Sequence, residues 1–73
     1  MVPEQKRKHQ DFEWLGKNMR KLQQKHAGKI VAVVNKHASI GKDAIEAYKI
    51  SRQQYPDNEP VMAAIPTKDA LLL

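Results

Sequence analysis

Gly28-Lys29-Ile30-Val31-Ala32-Val33-Val34-Asn35 is the one strongly β-forming stretch in the first half of the chain. β-branched residues dominate it, Gly28 opens it, and Asn35-Lys36 provides a turn at its end. Its apolar residues fall on both faces of an extended chain, so residues 29–34 are predicted to form a central strand. A candidate amphipathic helix lies on each side of this strand, and the stretch therefore predicts an α+β fold.

The helix before this strand is predicted over residues 11–27, where apolar positions recur at steps of three and four. Gly28 follows as a typical helix stop. Residues 1–10 are polar, contain Pro3 and show no periodicity, which predicts a loose tail. The chain is therefore divided into a flexible polar tail, residues 1–10, and a single α+β domain, residues 11–73.

The remaining pattern predicts a short strand at 37–40, a second helix at 42–55 and a strand at 61–65, with 70–73 as a candidate fourth strand. The order is α-β-β-α-β, with one more β if the last segment pairs. This describes a three- to four-stranded, mainly antiparallel sheet packed with two helices. The most apolar strand belongs in the centre, which gives strand order 2-1-3, and the crossover through the second helix should be right-handed.

The core follows from the same pattern. Predicted buried residues are Phe12, Leu15, Met19, Leu22, Val31, Val33, Tyr48, Ile65 and at least one of Ala44 and Ala47. Small residues on the second helix would let it lie close to the sheet. Two arrangements remain open: the helices cover both faces of the sheet, or both lie on one face. Only the second would leave an apolar face for self-association.

Several local features together resemble a known family. They are the aromatic residues that open the first helix (Phe12 and Trp14), the Gly28-Lys29 step into the β stretch, a short strand ending at Gly41, a helix with Glu46-Ala47, and Pro60 before a last strand ending at Ile65-Pro66. The pattern resembles the small archaeal and bacterial domain-of-unknown-function family 5678, over residues 11–73. This resemblance implies a compact α+β fold and no assigned chemistry.

Composition excludes several classes of protein. The chain has no cysteine, so it can form neither disulfides nor thiolate metal sites. The longest apolar run, residues 30–34, is far shorter than the ~20 residues of a membrane helix. No apolar segment follows the basic N-terminus, as a secretory signal would require. We therefore expect a cytoplasmic protein without membrane contact.

The net charge of +5 is unevenly distributed. Residues 1–29 contain eight lysines and arginines against three acidic residues, whereas residues 30–73 contain five of each. Such an excess is typical of proteins that bind nucleic acid or an acidic partner, but it is equally typical of a solvated helix face.

Catalytic and cofactor sites are not indicated. No two of the three histidines have helical ligand spacing, and His26 continues an apolar stripe. No serine lies in a nucleophile elbow. Gly41-Lys42-Asp43 leads into a helix but lacks the other residues of a phosphate-binding loop. We predict no enzymatic activity, no cofactor, no metal and no small-molecule substrate.

The candidate binding surface is a row on the first helix: Trp14, Lys17, Lys21 and Lys25. An indole beside lysines at helical spacing can anchor a protein partner or stack a nucleic-acid base. Alternatively, Trp14 contributes to the core by folding over the lysine side chains or by packing against the N-terminal tail or residues 71–73, and the lysines only face solvent. We predict a binding module whose partner is a protein or a second copy, with nucleic-acid binding as the alternative.

Overall fold

The computed structural model of the protein describes residues 4–67. They form a small α+β domain whose elements are α1 (Glu4–His26), β1 (Ile30–Val34), β2 (His37–Gly41), α2 (Ala44–Gln54) and β3 (Val61–Ala64). This confirms the predicted order α-β-β-α-β. The candidate fourth strand, residues 70–73, lies outside the described residues.

The three strands form one antiparallel sheet in the order β2-β1-β3. This confirms the predicted strand order. In the central strand, Val31 pairs with Ile40 of β2 and with Ala63 of β3. Residues 31–34 of β1 have no solvent exposure. Burial on both sides explains why this strand is apolar along its whole length instead of alternating with polar residues.

The first face of the sheet carries α1. Leu15 packs there with Val31, Val33 and Ile65, and half-buried residues from the same helix, including Leu22, complete the cluster. These contacts confirm Leu15, Val31, Val33 and Ile65 as buried core residues, whereas Met19 and Leu22, predicted to be largely buried, are half-buried. Side chains alternate along a strand, so Ala32 and Val34 point to the opposite face.

The second face carries α2, which lies very close to the sheet. Ala47 and Ser51 are its buried residues, and Gly41 of β2 lies directly against the helix backbone at Ala47. Small side chains at this contact permit the short distance, as predicted. The two helices therefore cover opposite faces of the sheet, so the arrangement with both helices on one face is excluded.

The helices are offset from one another. α1 packs on β1 and β3, whereas α2 packs on β1 and β2. Each face of the sheet thus has one edge strand that its helix covers less completely. On the α2 face this strand is β3, where Met62 is half-buried and Ala64 is exposed.

The β1–β2 connection is a two-residue hairpin turn. Val34 pairs with His37, and the intervening Asn35 and Lys36 both have positive φ, 52° and 62°. This geometry is that of a type I′ turn, which favours Asn and Gly and disfavours Lys. The carboxylate of Asp11 accepts hydrogen bonds from both turn amides, at 3.1 Å from Asn35 N and 2.8 Å from Lys36 N. α1 therefore holds the turn in place.

Three predictions were wrong. Residues 4–10 are not a loose tail, because they form the first turns of α1 and Arg7 in them is buried. Phe12 is 65% exposed, because Asp11 occupies the buried position and Phe12 points about 100° away from it. Tyr48 is 36% exposed for the same reason, since its neighbour Ala47 faces the sheet.

Candidate functional site

Trp14 lies at the boundary between the core and the surface. One part of its side chain packs against the core cluster on the α1 face, and the residue as a whole is half-buried. The amide of Asn18 donates a hydrogen bond of 2.8 Å to the Trp14 carbonyl oxygen, one turn back along the helix. The indole therefore supports the core and also lines the surface.

A groove of about 410 Å³ runs along α1 from Trp14 to His26. Of the described residues, Leu22 provides its apolar floor, and Lys21 and Lys25 lie along its side. Helical spacing explains this arrangement, since positions 14, 18, 21, 22 and 25 fall on one side of a helix. The structure therefore brings together three of the four predicted site residues: Trp14, Lys21 and Lys25.

Lys17 lies on the other side of Trp14. It lines a smaller cleft of about 170 Å³ together with Lys36 of the hairpin turn, Gln10 and Glu13. Trp14 lines both clefts, so the indole separates a groove with two lysines from a cleft with two more. Lys36 was not predicted for this surface, because only the docking of the hairpin against α1 brings it close.

The lysines of this surface take part in none of the ion pairs found among residues 4–67, and Glu13 is the one carboxylate beside them in the smaller cleft. Lys17, Lys21 and Lys25 are exposed, and the ion pairs found among residues 4–67 involve other cations. An unpaired lysine that faces solvent can exchange its counterions for a negatively charged ligand. The surface around Trp14 thus combines an apolar floor with positive charge along its sides.

The start of α2 is unfavourable for an anion, because two carboxylates lie there. The Asp43 side chain accepts a hydrogen bond of 2.8 Å from Glu46 N, and the Glu46 side chain accepts one of 3.0 Å from Lys42 N. Asp43 thus caps one free amide of the helix, and Glu46 reaches back to the amide of Lys42, just before the helix. They therefore have a structural role, and a phosphate would meet two negative charges there.

Candidate nucleophiles and metal ligands are dispersed. Ser39 and Ser51 are buried between α2 and the sheet. His37 lies against Tyr55, with ring centroids 5.9 Å apart. Within the described part of the chain, no three His, Cys, Asp or Glu side chains come close enough to hold a metal ion.

A buried polar cluster escaped sequence reasoning. Arg7 and Asp11 form an ion pair of 2.6 Å with side chains that are 7% and 1% exposed. Arg7 also donates a hydrogen bond to the carbonyl oxygen of Glu59, just before β3. The available signal was the spacing of four between Arg7 and Asp11, together with an aspartate on the same helical stripe as Leu15. This cluster positions the hairpin beside Trp14.

Comparison with known proteins places the chain in a family. A family model described as "Family of unknown function (DUF5678)" matches residues 21–68. The chain belongs to family 5678. The match to family 5678 includes Lys21 and Lys25 but begins after Trp14 and Lys17. No curated protein and no solved structure gave a match. Among residues 4–67, no helix is both long and apolar enough to cross a membrane.

Proposed function

We propose that this protein is a small non-catalytic binding module of the cytoplasm, and that it binds an acidic segment of a partner protein along α1. The observation that carries the proposal is the groove beside Trp14, where an apolar floor adjoins Lys21 and Lys25. An apolar side chain of the partner would enter the groove against the indole. Carboxylates on either side of it would meet the lysine ammonium groups.

A protein partner is favoured over nucleic acid by the placement of the aromatic rings. Binding of single strands commonly uses several stacking rings along a basic surface. Here Trp14 is the one large aromatic ring that lines the basic groove among the described residues, and the smaller imidazole of His26 lies at its other end. Tyr48 and Tyr55 belong to the opposite side of the sheet, where Arg52 lies over Tyr48 and His37 lies against Tyr55.

A binding role is favoured over catalysis by the state of the reactive groups. The two serines of the described chain are buried between α2 and the sheet, and two carboxylates, Asp43 and Glu46, lie at the start of α2. Nucleophilic catalysis needs an accessible hydroxyl next to a base, in a position that substrate can reach. Neither serine meets this requirement.

The fluorescence of Trp14 provides a direct test, because it is the single tryptophan of the chain. Titration with a short peptide that has one leucine flanked by aspartates should change the fluorescence emission of Trp14. The peptide with asparagine in place of aspartate should bind at least about tenfold more weakly. Raising the salt concentration from about 50 to about 300 mM should weaken binding of the acidic peptide.

Two variants test whether binding depends on the charge beside the groove. Lys21→Glu should weaken binding of the acidic peptide about tenfold, because it reverses a charge beside the groove. Lys42→Glu makes the same change in net charge on the other side of the sheet and should leave binding nearly unchanged. Equal losses in both variants would contradict the proposal. Tighter binding of oligothymidine than of the acidic peptide would replace it with the nucleic-acid alternative.

A further inference from the structure

The groove beside Trp14 has only one wall within the described chain. Every residue of the range 4–67 that lines it lies on α1, between Trp14 and His26. The smaller cleft next to it has a second wall in Lys36 of the hairpin turn, and a shallow depression on the α2 side of the sheet has one in Met62 of β3. A helix by itself presents a convex, roughly cylindrical surface. A further segment is therefore needed to close the other side of this groove.

The chain leaves the described domain next to the end of α1. Gly28 N donates a hydrogen bond of 2.8 Å to Ile65 O, and Ile65 N donates one of 2.8 Å to Lys29 O. A Cβ atom at Gly28 would lie 3.5 Å from Thr67 Cγ2. Residue 68 therefore starts beside the last turn of α1, where His26 lines the near end of the groove.

Residues 68–73 are within reach of the groove, whereas residues 1–3 are not. Residues 1–3 precede Glu4, so about 15 Å of helix separates them from Trp14 and about 33 Å from His26. From Thr67, five extended residues span up to about 17 Å, and Asn18 of the groove lies about 12 Å along α1 from His26. A chain that reverses direction after Thr67 can therefore run back along the groove.

The sequence of residues 68–73, Lys-Asp-Ala-Leu-Leu-Leu, matches the chemistry of the groove. Leu22 provides an apolar floor, on which leucine side chains are removed from water. Lys25 lies along its side near the end of α1, where the carboxylate of Asp69 can meet its ammonium group. An acidic residue next to leucines is also the chemistry proposed above for the binding partner.

From these observations we infer that residues 68–73 fold back along α1 and dock in the groove beside Trp14, with Leu71–Leu73 against Leu22 and Asp69 beside Lys25. The consequence for binding rests on the proposed function: the segment covers the floor that a partner peptide needs, so the peptide must displace it. If the segment is docked in about nine of ten molecules, the apparent affinity for the peptide is about tenfold lower than that of the open groove. The chain thus regulates its own binding surface.

Because the chain has no cysteine, introduced cysteine pairs can test the docked position. Leu72→Cys is combined with Asn18→Cys, which lies in the groove, or with Arg20→Cys, which is exposed and lies about 200° around the helix from Asn18. Under mild oxidation of dilute protein, the pair with Asn18→Cys should form its intramolecular disulfide at least about tenfold faster, because only close Cα atoms can be bridged. Equal rates, or a faster reaction at position 20, would overturn the inference.

Serine variants of the full chain test the effect on the groove. Replacing Leu71, Leu72 and Leu73 by serine together should shift Trp14 emission to longer wavelength, because the indole gains contact with water. The triple variant should also bind the acidic peptide about tenfold more tightly. Ile45→Ser is the control and should change neither property, because Ile45 is 68% exposed on α2, across the sheet from the groove.

Two results of this experiment would overturn the inference: an unchanged Trp14 emission, or a peptide affinity that is unchanged or lower in the triple variant. Failure of the proposed function has a different outcome. In that case neither the wild type nor the triple variant binds the peptide, while the cross-link at position 18 and the emission shift still support docking of residues 68–73.

Discussion

Replacement of Gly41 by alanine should separate α2 from the sheet. A Cβ atom at Gly41 would lie 2.9 Å from Ala47 Cα and 3.0 Å from Glu46 C, and closer still to Ala47 N. Carbon atoms in normal contact are about 3.5–4.0 Å apart. The neighbours are backbone atoms that cannot rotate away, so α2 as a whole would have to move outward by roughly 1 Å.

This displacement should be costly for so small a domain. Overpacking of this kind typically lowers the free energy of unfolding by ~1–3 kcal/mol, and we expect the upper end because Ala47 and Ser51 also lose contact. The total free energy of unfolding expected for 73 residues is on the order of 4–11 kcal/mol. With a urea dependence of ~1 kcal/mol/M, the midpoint should fall by about 2–3 M.

Urea unfolding followed by both circular dichroism and Trp14 fluorescence measures the loss. Gly16→Ala is the control, because a Cβ there meets nothing within 4 Å. Replacing a helical glycine by alanine should raise the free energy of unfolding by ~0.5–1 kcal/mol. Adding Ala47→Gly to Gly41→Ala should not restore stability, since the clash involves backbone atoms. A Gly41→Ala protein as stable as the wild type would refute the close packing of α2.

Three further predictions concern the α1 face and the hairpin. Asp11→Ala should lower the free energy of unfolding by ~3–5 kcal/mol, because Arg7 and both turn amides lose a buried acceptor. Glu13→Ala, in the exposed part of the same helix, should change it by less than ~0.5 kcal/mol. Thermal melts in which both variants lose the same stability would contradict this prediction. Lys36→Gly should raise the free energy of unfolding by ~1 kcal/mol, and with it the urea midpoint, because glycine adopts the positive φ of this position without strain. An unchanged or lower midpoint would argue against the type I′ turn. Leu15→Ala should lower the free energy of unfolding by ~2–5 kcal/mol in the same assay, and by more than Leu22→Ala, because Leu15 is buried and Leu22 is half-buried. A larger loss for Leu22→Ala would show that the core is centred on Leu22 instead.

The parts of the fold predicted correctly from sequence depend on local patterns. The continuous apolar run of β1 reflects burial on both faces, and its central position follows from that burial. The beginning of α1 could not be predicted in the same way, because its first turns are polar. They are stabilised by Arg7, whose partners are Asp11 and the backbone before β3. Such a partner becomes apparent only when distant parts of the chain have been placed.

The basic groove on α1 and the apolar depression on the α2 side also differ in how far a local sequence pattern predicts them. Trp14, Lys21 and Lys25 lie within three turns of one helix, so a helical projection was enough to group them. A shallow depression on the α2 side of the sheet combines Ile45 and Tyr48 with Met62 of a separate strand. Its existence depends on the offset of α2 across the sheet, and the hydrophobic period of α2 does not determine that offset. Periodicity therefore grouped the residues of the basic groove and missed those of this depression.

The hairpin turn has an unusual dynamic property. Amides in two-residue turns commonly exchange their hydrogens rapidly, because water reaches them. Here the amides of Asn35 and Lys36 are bound by Asp11, which belongs to a helix more than twenty residues earlier in the chain. Their exchange requires α1 to move away from the turn. The exchange rates of these two amides therefore report how often α1 separates from the hairpin turn. Strong protection of both amides would show that the two elements rarely separate.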